Sequence, residues 1–312
     1  MRVLIIGGLG YVGSSIAAEL NSRGHELVLV GRRPTEFGST FGEVHVWDAT
    51  KEWTGSTPNF DAVLHLASSN GDYSLDLLET YLDNLAVTRN ILKLCQQIPN
   101  SAILYVSTLQ VYGRWTGELS VDTPVSPTSD YSFSHWVAEE HVKMFARDCN
   151  RKSLVVRLSN VIGAGVDQSV IRWSTVPADF CLQAVKQRFI DVRSSGQELR
   201  DFIPVSEVSR QIGDLVENLN HWTGRTKLIA TGQSVTIGSL AETVSQRAQD
   251  LLSVPIPVNY GRKSHSNLNE SELRVICNTS DVHQLRAENS VPSLVDSIDD
   301  LLKAALRKIG SL

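Results

Sequence analysis

The chain has no cysteine pair at redox or metal-ligand spacing. Its four cysteines, Cys95, Cys149, Cys181 and Cys277, lie 32 to 96 residues apart, so no Cys-x-x-Cys motif, Cys/His ligand set or disulfide scaffold is present, and reduced, mostly buried thiols are expected. No apolar run reaches the length of a membrane span. Basic charge is not in excess either: 29 Lys+Arg stand against 34 Asp+Glu, a net charge of −5 at pH 7. That argues against a nucleic-acid binder, whose footprint is a clustered basic surface. It does not exclude anionic small molecules, because a few local donors can bind a phosphate. The opening Met1-Arg2-Val3-Leu4-Ile5-Ile6 is too short for a signal peptide and runs straight into glycines. Internal repeats and low-complexity segments are missing too. A soluble, cytoplasmic protein with neither a nucleic-acid nor a membrane partner is expected.

What is present is a chain of 312 residues, 42% of them apolar. At roughly 100–200 residues per domain it is one large domain or two intimate ones. Short apolar runs at Val3–Ile6, Leu27–Val30, Ala62–Leu66, Ile103–Val106 and Leu154–Arg157 alternate with helical patterns at Tyr11–Arg23, Leu75–Gln97 and Ser132–Cys149. Alternation of this kind predicts an α/β fold with a doubly wound parallel sheet covered on both faces. Unbroken apolar strands fit it, because strands buried on both faces do not alternate. After about residue 158 the rhythm loosens. Helices are expected around Pro177–Gln187, Val205–Asn220, Ile237–Leu252 (capped by Thr236 and ended by Pro255-Ile-Pro257) and Ser293–Leu306, with a strand at Lys227–Ala230. Residues 1–160 then form the nucleotide-binding lobe, with segments near 201–232 returning to it. Residues 161–312 form mainly a smaller α/β substrate lobe, interleaved with the first around one cleft.

Gly7, Gly10 and Gly13, in Ile5-Ile6-Gly7-Gly8-Leu9-Gly10-Tyr11-Val12-Gly13, stand between a strand and a helix. A tight turn and bare backbone let a pyrophosphate reach the helix N-terminus, where free N–H groups and the dipole favour negative charge. The flanking strand, helix and next strand supply the context a glycine trio needs.

The Gly-x-x-Gly-x-x-Gly spacing resembles the extended branch of the short-chain dehydrogenase/reductase superfamily, with its Rossmann-like fold and its nucleotide-sugar epimerases, dehydratases and ketoreductases. Five further segments carry the resemblance in the same order. They are Asp61-Ala-Val-Leu-His65-Leu-Ala67, Asp83-Asn84-Leu-Ala-Val-Thr88, Val106-Ser107-Thr108-Leu109-Gln110-Val111-Tyr112-Gly113, and the pair Arg157-Leu-Ser-Asn160-Val-Ile-Gly163 with Arg200-Asp201-Phe202-Ile203. The resemblance implies a nicotinamide dinucleotide held by Gly7, Gly10, Tyr11, Val12 and Gly13, by Asp48 and Ala49, by Leu66, Ala67 and Ser68, and by Asn84. It also implies a homodimer built on the Leu75–Gln97 and Ser132–Cys149 helices.

The end of the second strand separates NAD from NADP. A carboxylate there would bind a ribose diol and repel a 2′-phosphate. This chain reads Gly31-Arg32-Arg33. Planar guanidinium donors suit a phosphate, so NADP is favoured, with NAD the alternative if both arginines are simply solvated.

The family's reaction uses a tyrosine that exchanges a proton with a carbinol, a Ser or Thr on the substrate oxygen, and a lysine four residues after the tyrosine. The lysine binds the nicotinamide ribose and lowers the phenol from its free pKa near 10. Here the hydroxyl is Thr108 and the tyrosine Tyr131, but the lysine position holds His135. The i,i+4 spacing keeps Tyr131 and His135 on one helix face. Lys143 is no substitute, roughly 18 Å along the helix from Tyr131. Three readings stay open: His135 binds the ribose and, protonated, lowers the Tyr131 pKa; the enzyme works with weaker activation; or redox catalysis is lost and only binding remains.

The positions after Thr108 are Leu109 and Gln110, where the family's dehydratases carry an acid and a base, so elimination of water is disfavoured. Tyr112 lines the substrate pocket or packs. Asn160 and Arg200 match the residues that contact the diphosphate of a sugar nucleotide, and a guanidinium suits that group. The alternative for Arg200 is a structural pair with Asp201 or Glu198. Arg262 and Arg274 are further candidates. The sugar pocket is expected from the loop after Gly163 and from Val176-Pro177-Ala178-Asp179-Phe180. The expected substrate is a small molecule, a nucleotide-linked sugar. The reaction is reduction of a keto-sugar or epimerisation, with a non-nucleotide carbonyl as the alternative. No metal site is expected.

Overall fold

The structure, a computed structural model, describes residues 1–35, 37–55, 59–68, 77–261, 273–275 and 293–310. In chain order the first half runs β1 (Arg2–Ile6), α1 (Tyr11–Ser22), β2 (Glu26–Gly31), α2 (Gly38–Phe41), β3 (Glu43–Val46), β4 (Ala62–His65), α3 (Leu77–Gln97), β5 (Ala102–Thr108), β6 (Gly117–Leu119), α4 (Asp130–Asp148) and β7 (Ser153–Leu158). The second half runs β8 (Asn160–Ile162), α5 (Val176–Gln187), β9 (Ile190–Val192), β10 (Leu199–Pro204), α6 (Val205–Glu217), β11 (Thr223–Ile229), β12 (Ser234–Thr236), α7 (Ile237–Leu252), β13 (Val258–Tyr260), β14 (Leu273–Val275) and α8 (Leu294–Gly310).

The chain divides into two units. The first contains Met1–Arg114, Val121–Leu158 and Ser209–Ile229. Its seven-stranded sheet is ordered β11-β7-β5-β4-β1-β2-β3, and every neighbouring pair is parallel. From β1 the strands run outward both ways, so the order reverses between β1 and β4, as the doubly wound expectation requires. Ligands of such sheets bind beyond the carboxyl ends of the strands at that reversal. Residues Val3–Ile6 of β1 and all of β4 and β7 are buried, which is why they read as unbroken apolar runs. Alternate strand residues (Leu4, Ile6, Val28, Val63, Ile103, Tyr105, Val155) pack against Val87, Ile91 and Leu94 of α3 and Ala138, Val142 and Phe145 of α4. At roughly 1.5–3 kcal/mol for each large apolar side chain removed from water, this layer fixes both helices against the sheet.

The second unit contains Trp115–Ser120, Ser159–Val208 and Ala230–Leu312. It holds a three-stranded sheet ordered β12-β10-β8 and the two-stranded pairs β13-β9 and β14-β6. Its core gathers Phe180, Cys181 and Ala184 of α5, Leu240, Ala241 and Val244 of α7, and Ile298, Leu301 and Leu302 of α8.

Two expectations are corrected. The segment 201–208 does not return to the main sheet: β10 pairs with β8 and β12 in the second unit, and the return is Ser209–Ile229. Trp115–Ser120 also leaves the first 160 residues for the second unit, where β6 pairs with β14. Helix α7 starts where expected, with Thr236 Oγ1 accepting from Ser239 N at 3.0 Å. It ends at Ser253 (φ 56°), before the two prolines. No helix among the described residues is long and apolar enough to cross a membrane.

Candidate active site

The glycine turn lies at the carboxyl end of β1, where the strand order reverses. Gly7 has φ +93°, and a Cβ there would stand 2.8 Å from Ala67 N. A Cβ on Gly13 would stand 2.1 Å from Gly7 O. Neither position has room for a side chain, and Gly7 also needs a backbone conformation that glycine alone adopts freely. Gly10 begins α1 with no side-chain cap, so the first N–H groups of the helix keep their capacity for an anion. Tyr11 and Val12 follow, both half-buried, and Leu66, Ala67 and Ser68 lie half-buried after β4, with Leu66 N bonded to Ile6 O at 2.8 Å.

At the end of β2, Arg32 and Arg33 are exposed, with no hydrogen bond or ion pair among the described residues. Asp48 accepts from Thr50 Oγ1 at 2.8 Å and Thr50 N at 3.2 Å. The Thr50 hydroxyl chiefly holds this carboxyl below its usual range, and burial works against it. Ala49 is buried, and its carbonyl accepts from Asn90 Nδ2 at 3.0 Å.

Helix α4 carries the tyrosine. Ser129 caps it reciprocally with Ser132: Ser129 Oγ accepts from Ser132 N at 3.2 Å, and Ser129 N donates to Ser132 Oγ at 3.1 Å. This capping box starts the helix at Asp130. It sets Tyr131 half-buried in the first turn and His135 one turn on, their ring centroids 4.5 Å apart. His135 is buried. The Tyr105 hydroxyl on β5 lies 2.7 Å from its Nδ1, while Nε2 is buried with no partner among the described residues. Such an unpaired group costs about 1–3 kcal/mol. Asn84 of α3 donates to Ser134 Oγ at 2.9 Å, so it ties α3 to the residue beside His135. Thr108 ends β5 half-buried, its Oγ1 accepting from Gln110 N at 3.2 Å.

The burial of His135 disfavours the reading in which it is protonated. Burial pushes its pKa from 6.5 down to about 4, so at neutral pH the imidazole is uncharged and offers Tyr131 no positive charge. Of the two readings of Tyr112, packing fits its surroundings: it is buried, and its hydroxyl accepts from Arg157 Nη1 at 2.8 Å.

Sequence reasoning missed Glu139. This carboxylate is fully buried, one turn beyond His135. It accepts from Arg157 Nε at 2.9 Å, Arg157 Nη2 at 2.7 Å and Ser107 Oγ at 2.5 Å. An acid four residues after His135, on the same apolar face, was the available signal. The network bonds α4 to β5 and β7 and so fixes the helix that carries Tyr131.

In the second unit, Arg200 lies on β10 with its guanidinium 4.5 Å from the Trp115 ring centroid. Its one hydrogen bond among the described residues is from Nη1 to Leu199 O at 2.7 Å. Burial lowers its pKa, against the nearby charge of Glu198. The expected alternative, a structural pair with Asp201 or Glu198, is absent. Asp201 is instead bonded by Ser159 Oγ at 2.5 Å and Thr231 Oγ1 at 2.6 Å, and Glu198 by Ser194 Oγ at 2.9 Å. Arg200 is thus a partly dehydrated cation with no direct ion pair among the described residues, Glu198 acting on it only through its nearby charge. Asn160 donates to Asp201 O at 2.9 Å. Ala178 and Phe180, expected near a sugar, pack in the core of this unit. A cavity of about 620 Å³ is lined by Ser195, Gln197, Thr236, Ser239, Glu242 and Tyr260, without Arg200 or Asn160. Arg262 and Cys277 lie outside the described residues, as does the Arg274 side chain.

Comparison with known proteins agrees with this fold. The NAD dependent epimerase/dehydratase family matches residues 3–225. A dTDP-4-dehydro-6-deoxyglucose reductase of Escherichia coli is 26% identical, over 97% of this chain and 96% of its own. Among solved structures, a UDP-glucose 4-epimerase from Bifidobacterium longum in complex with NAD+ and UDP superposes over 100% of both chains, with TM-score 0.81 and 17% identity. The Pseudomonas aeruginosa protein RMD complexed with NADPH covers 98% of this chain and 99% of its own, with TM-score 0.74 and 21% identity.

Proposed function

Because the chain belongs to the NAD dependent epimerase/dehydratase family, we propose that it acts on a nucleotide-linked sugar with NADP(H), most simply as a keto-sugar reductase. The observation that carries the dinucleotide reading is the glycine turn at the strand reversal, with no room for a Cβ at Gly7 or Gly13. The name of the E. coli relative, a reductase of a keto-sugar nucleotide, supports the reaction class.

The chain's groups fit a dinucleotide. The turn from Gly7 to Gly13 and the open start of α1 would hold the pyrophosphate, with Tyr11 and Val12 presenting backbone N–H groups. Exposed Arg32 and Arg33, with no hydrogen bond or ion pair among the described residues, favour a 2′-phosphate. Asp48 and Ala49 would border the adenine; Leu66, Ala67, Ser68 and Asn84 would line the path to the nicotinamide. The unpaired Nε2 of His135 would meet the nicotinamide ribose. When bound, the nicotinamide supplies or accepts the hydride. In this reading Thr108 holds the substrate oxygen and Tyr131 moves a proton at it through its phenol oxygen. Arg200 and Asn160 take the substrate's diphosphate, a role suited to a guanidinium without a carboxylate partner.

The neutral His135 favours weak activation of Tyr131 over full activation. The test is NADPH oxidation against a panel of keto-sugar nucleotides, for the native chain and for Tyr131→Phe and His135→Lys. Turnover that vanishes in Tyr131→Phe supports the assignment. A gain in His135→Lys marks weak activation, and complete loss there marks a histidine-specific role. No turnover, with NADPH still bound, leaves a binding protein.

We also propose a homodimer through α3 and α4. Leu78, Leu82, Phe133 and Met144 are exposed on these helices, and Tyr81 stacks on Phe133 with ring centroids 5.6 Å apart. Light scattering of Leu82→Arg, expected to be monomeric, tests it.

A further inference from the structure

Three buried aromatic side chains form a row in the first unit. His65 of β4 stands opposite Tyr105 of β5 in the sheet register, with ring centroids 4.7 Å apart. Tyr105 in turn faces His135 of α4. The polar atoms can be counted. His65 Nε2 meets Thr88 Oγ1 at 3.2 Å. The Tyr105 hydroxyl meets only His135 Nδ1, at 2.7 Å, among the described residues. Two arrangements of hydrogens are open to that contact. If Nδ1–H donated, the buried phenol hydrogen would have no acceptor and Nε2 would hold an unused lone pair. If the phenol donates, both Tyr105 O–H and His135 Nδ1 are satisfied, and of this pair only Nε2–H is left over; elsewhere in the row His65 Nδ1 is also buried without a partner among the described residues. Burial raises the Tyr105 pKa well above its ordinary value and lowers that of His135, so the phenol keeps its hydrogen and the imidazole carries one, and the hydrogen-bond count decides which nitrogen holds it. The ionisable groups close to the pair are His65, Tyr131 and Glu139.

We propose that Tyr105 is a positioning residue. Its hydroxyl locks His135 in the tautomer with hydrogen on Nε2, so that the imidazole meets the nicotinamide ribose as a neutral donor and never as an acceptor. The proposal rests on the dinucleotide reading above for what Nε2 meets, but the lock itself is a property of the empty protein. The orphaned donor beside Tyr131 is then the group kept for the ligand. The side chain that selects its direction sits on a strand, 30 residues away in sequence, rather than on the helix.

The test is two-bond ¹H–¹⁵N spectroscopy of the full chain labelled at the imidazole nitrogens, without dinucleotide, with His135 assigned by its loss in His135→Gln. The expected spectrum has hydrogen on Nε2 and an unprotonated, hydrogen-bonded Nδ1, unchanged from about pH 8 to about pH 5. Tyr105→Phe is expected to mix the tautomers and, separately, to weaken NADPH binding about fivefold, as for one lost hydrogen bond. An Nδ1–H tautomer or an imidazolium in the native chain, which needs no variant to observe, overturns the proposal. So does an unchanged tautomer in a folded Tyr105→Phe, or a mixed tautomer with unchanged NADPH affinity. A locked tautomer in a protein that binds neither NADPH nor NADH overturns the dinucleotide reading and leaves the lock standing.

Discussion

Arg157 grips Glu139 along one edge of its guanidinium, Nε at 2.9 Å from Oε1 and Nη2 at 2.7 Å from Oε2, with 4% and 0% of the two residues exposed. Burial opposes the charge on Arg157, and its bonds to Glu139 and Tyr112 more than restore it. Removing one partner would strand the other charge away from water. Glu139→Gln is therefore expected to cost about 3–5 kcal/mol in urea unfolding. Ser107→Ala, which deletes a single donor to the same carboxylate, should cost about 1 kcal/mol. Equal losses in the two variants would show that the ion pair is not what holds α4 to β5 and β7.

The three turn glycines should separate in stability. At Gly13 a Cβ would lie 2.1 Å from Gly7 O and 2.8 Å from Gly8 Cα, both backbone. Gly13→Ala must therefore shift the turn itself. Gly10 has an ordinary φ of −92°, and its Cβ would meet only Gly7 O, at 3.3 Å. Thermal unfolding without ligand should show a large drop for Gly13→Ala and Gly7→Ala. Gly10→Ala should stay within roughly 1 kcal/mol of the native chain. If Gly10→Ala proved the most damaging, the steric account of the turn would be wrong.

The main sheet was legible because both its faces are covered. β1, β4 and β7 are apolar from end to end, and no other arrangement of an α/β chain buries them. β3, Glu43-Val-His-Val46, lies at the sheet edge with no fully buried residue, so no apolar run marks it. The strands β6, β8, β9, β12, β13 and β14 have three residues each, too few for any period to show. The second unit therefore stayed blurred in sequence, and the return to the sheet was drawn eight residues early. In the site, the glycine turn could be read from its spacing and flanking elements, whereas Thr108, Tyr131 and His135 were legible only through the family resemblance. The state of His135 could not be read, since it depends on Tyr105 from β5 and on burial by α3 and the sheet. Arg200 was legible as a residue type; its stacking on Trp115 was not, because the two are 85 positions apart.

The cofactor preference rests on charge alone and can be tested as such. Arg32 and Arg33 are exposed, so replacing both by serine should leave the fold unchanged. If they bind a 2′-phosphate, the double variant should raise KM for NADPH by about tenfold or more while KM for NADH stays put, since each lost charge-assisted bond is worth about 1.5–3 kcal/mol. Parallel changes for both dinucleotides, or none for either, would make the arginines solvated loop charges and return NAD to first place.

Acid should weaken this fold earlier than carboxylate protonation does, because of its buried imidazoles. Burial holds His65 down to about 3 and His135 to about 4, against 6.5 for a free imidazole. His25 is shifted the same way. Above pH 6.5 these imidazoles are neutral in both states and contribute no pH dependence. As pH falls below 6.5 the unfolded chain takes up protons that the folded chain refuses, so unfolding becomes steadily easier down to about pH 4. Below that, His135 charges in the fold as well and its contribution levels off. Each such histidine adds up to about 1.4 kcal/mol per pH unit within its window. Urea unfolding between about pH 7 and pH 4 should therefore show stability falling with acid, and His135→Gln should flatten that fall by about one histidine's share. His135→Gln is the sharper choice, since Gln offers Tyr105 an acceptor yet cannot titrate. A variant curve parallel to the native one would would mean that His135 takes up its proton as readily in the fold as outside it, and the uncharged imidazole beside Tyr131 would have to be abandoned.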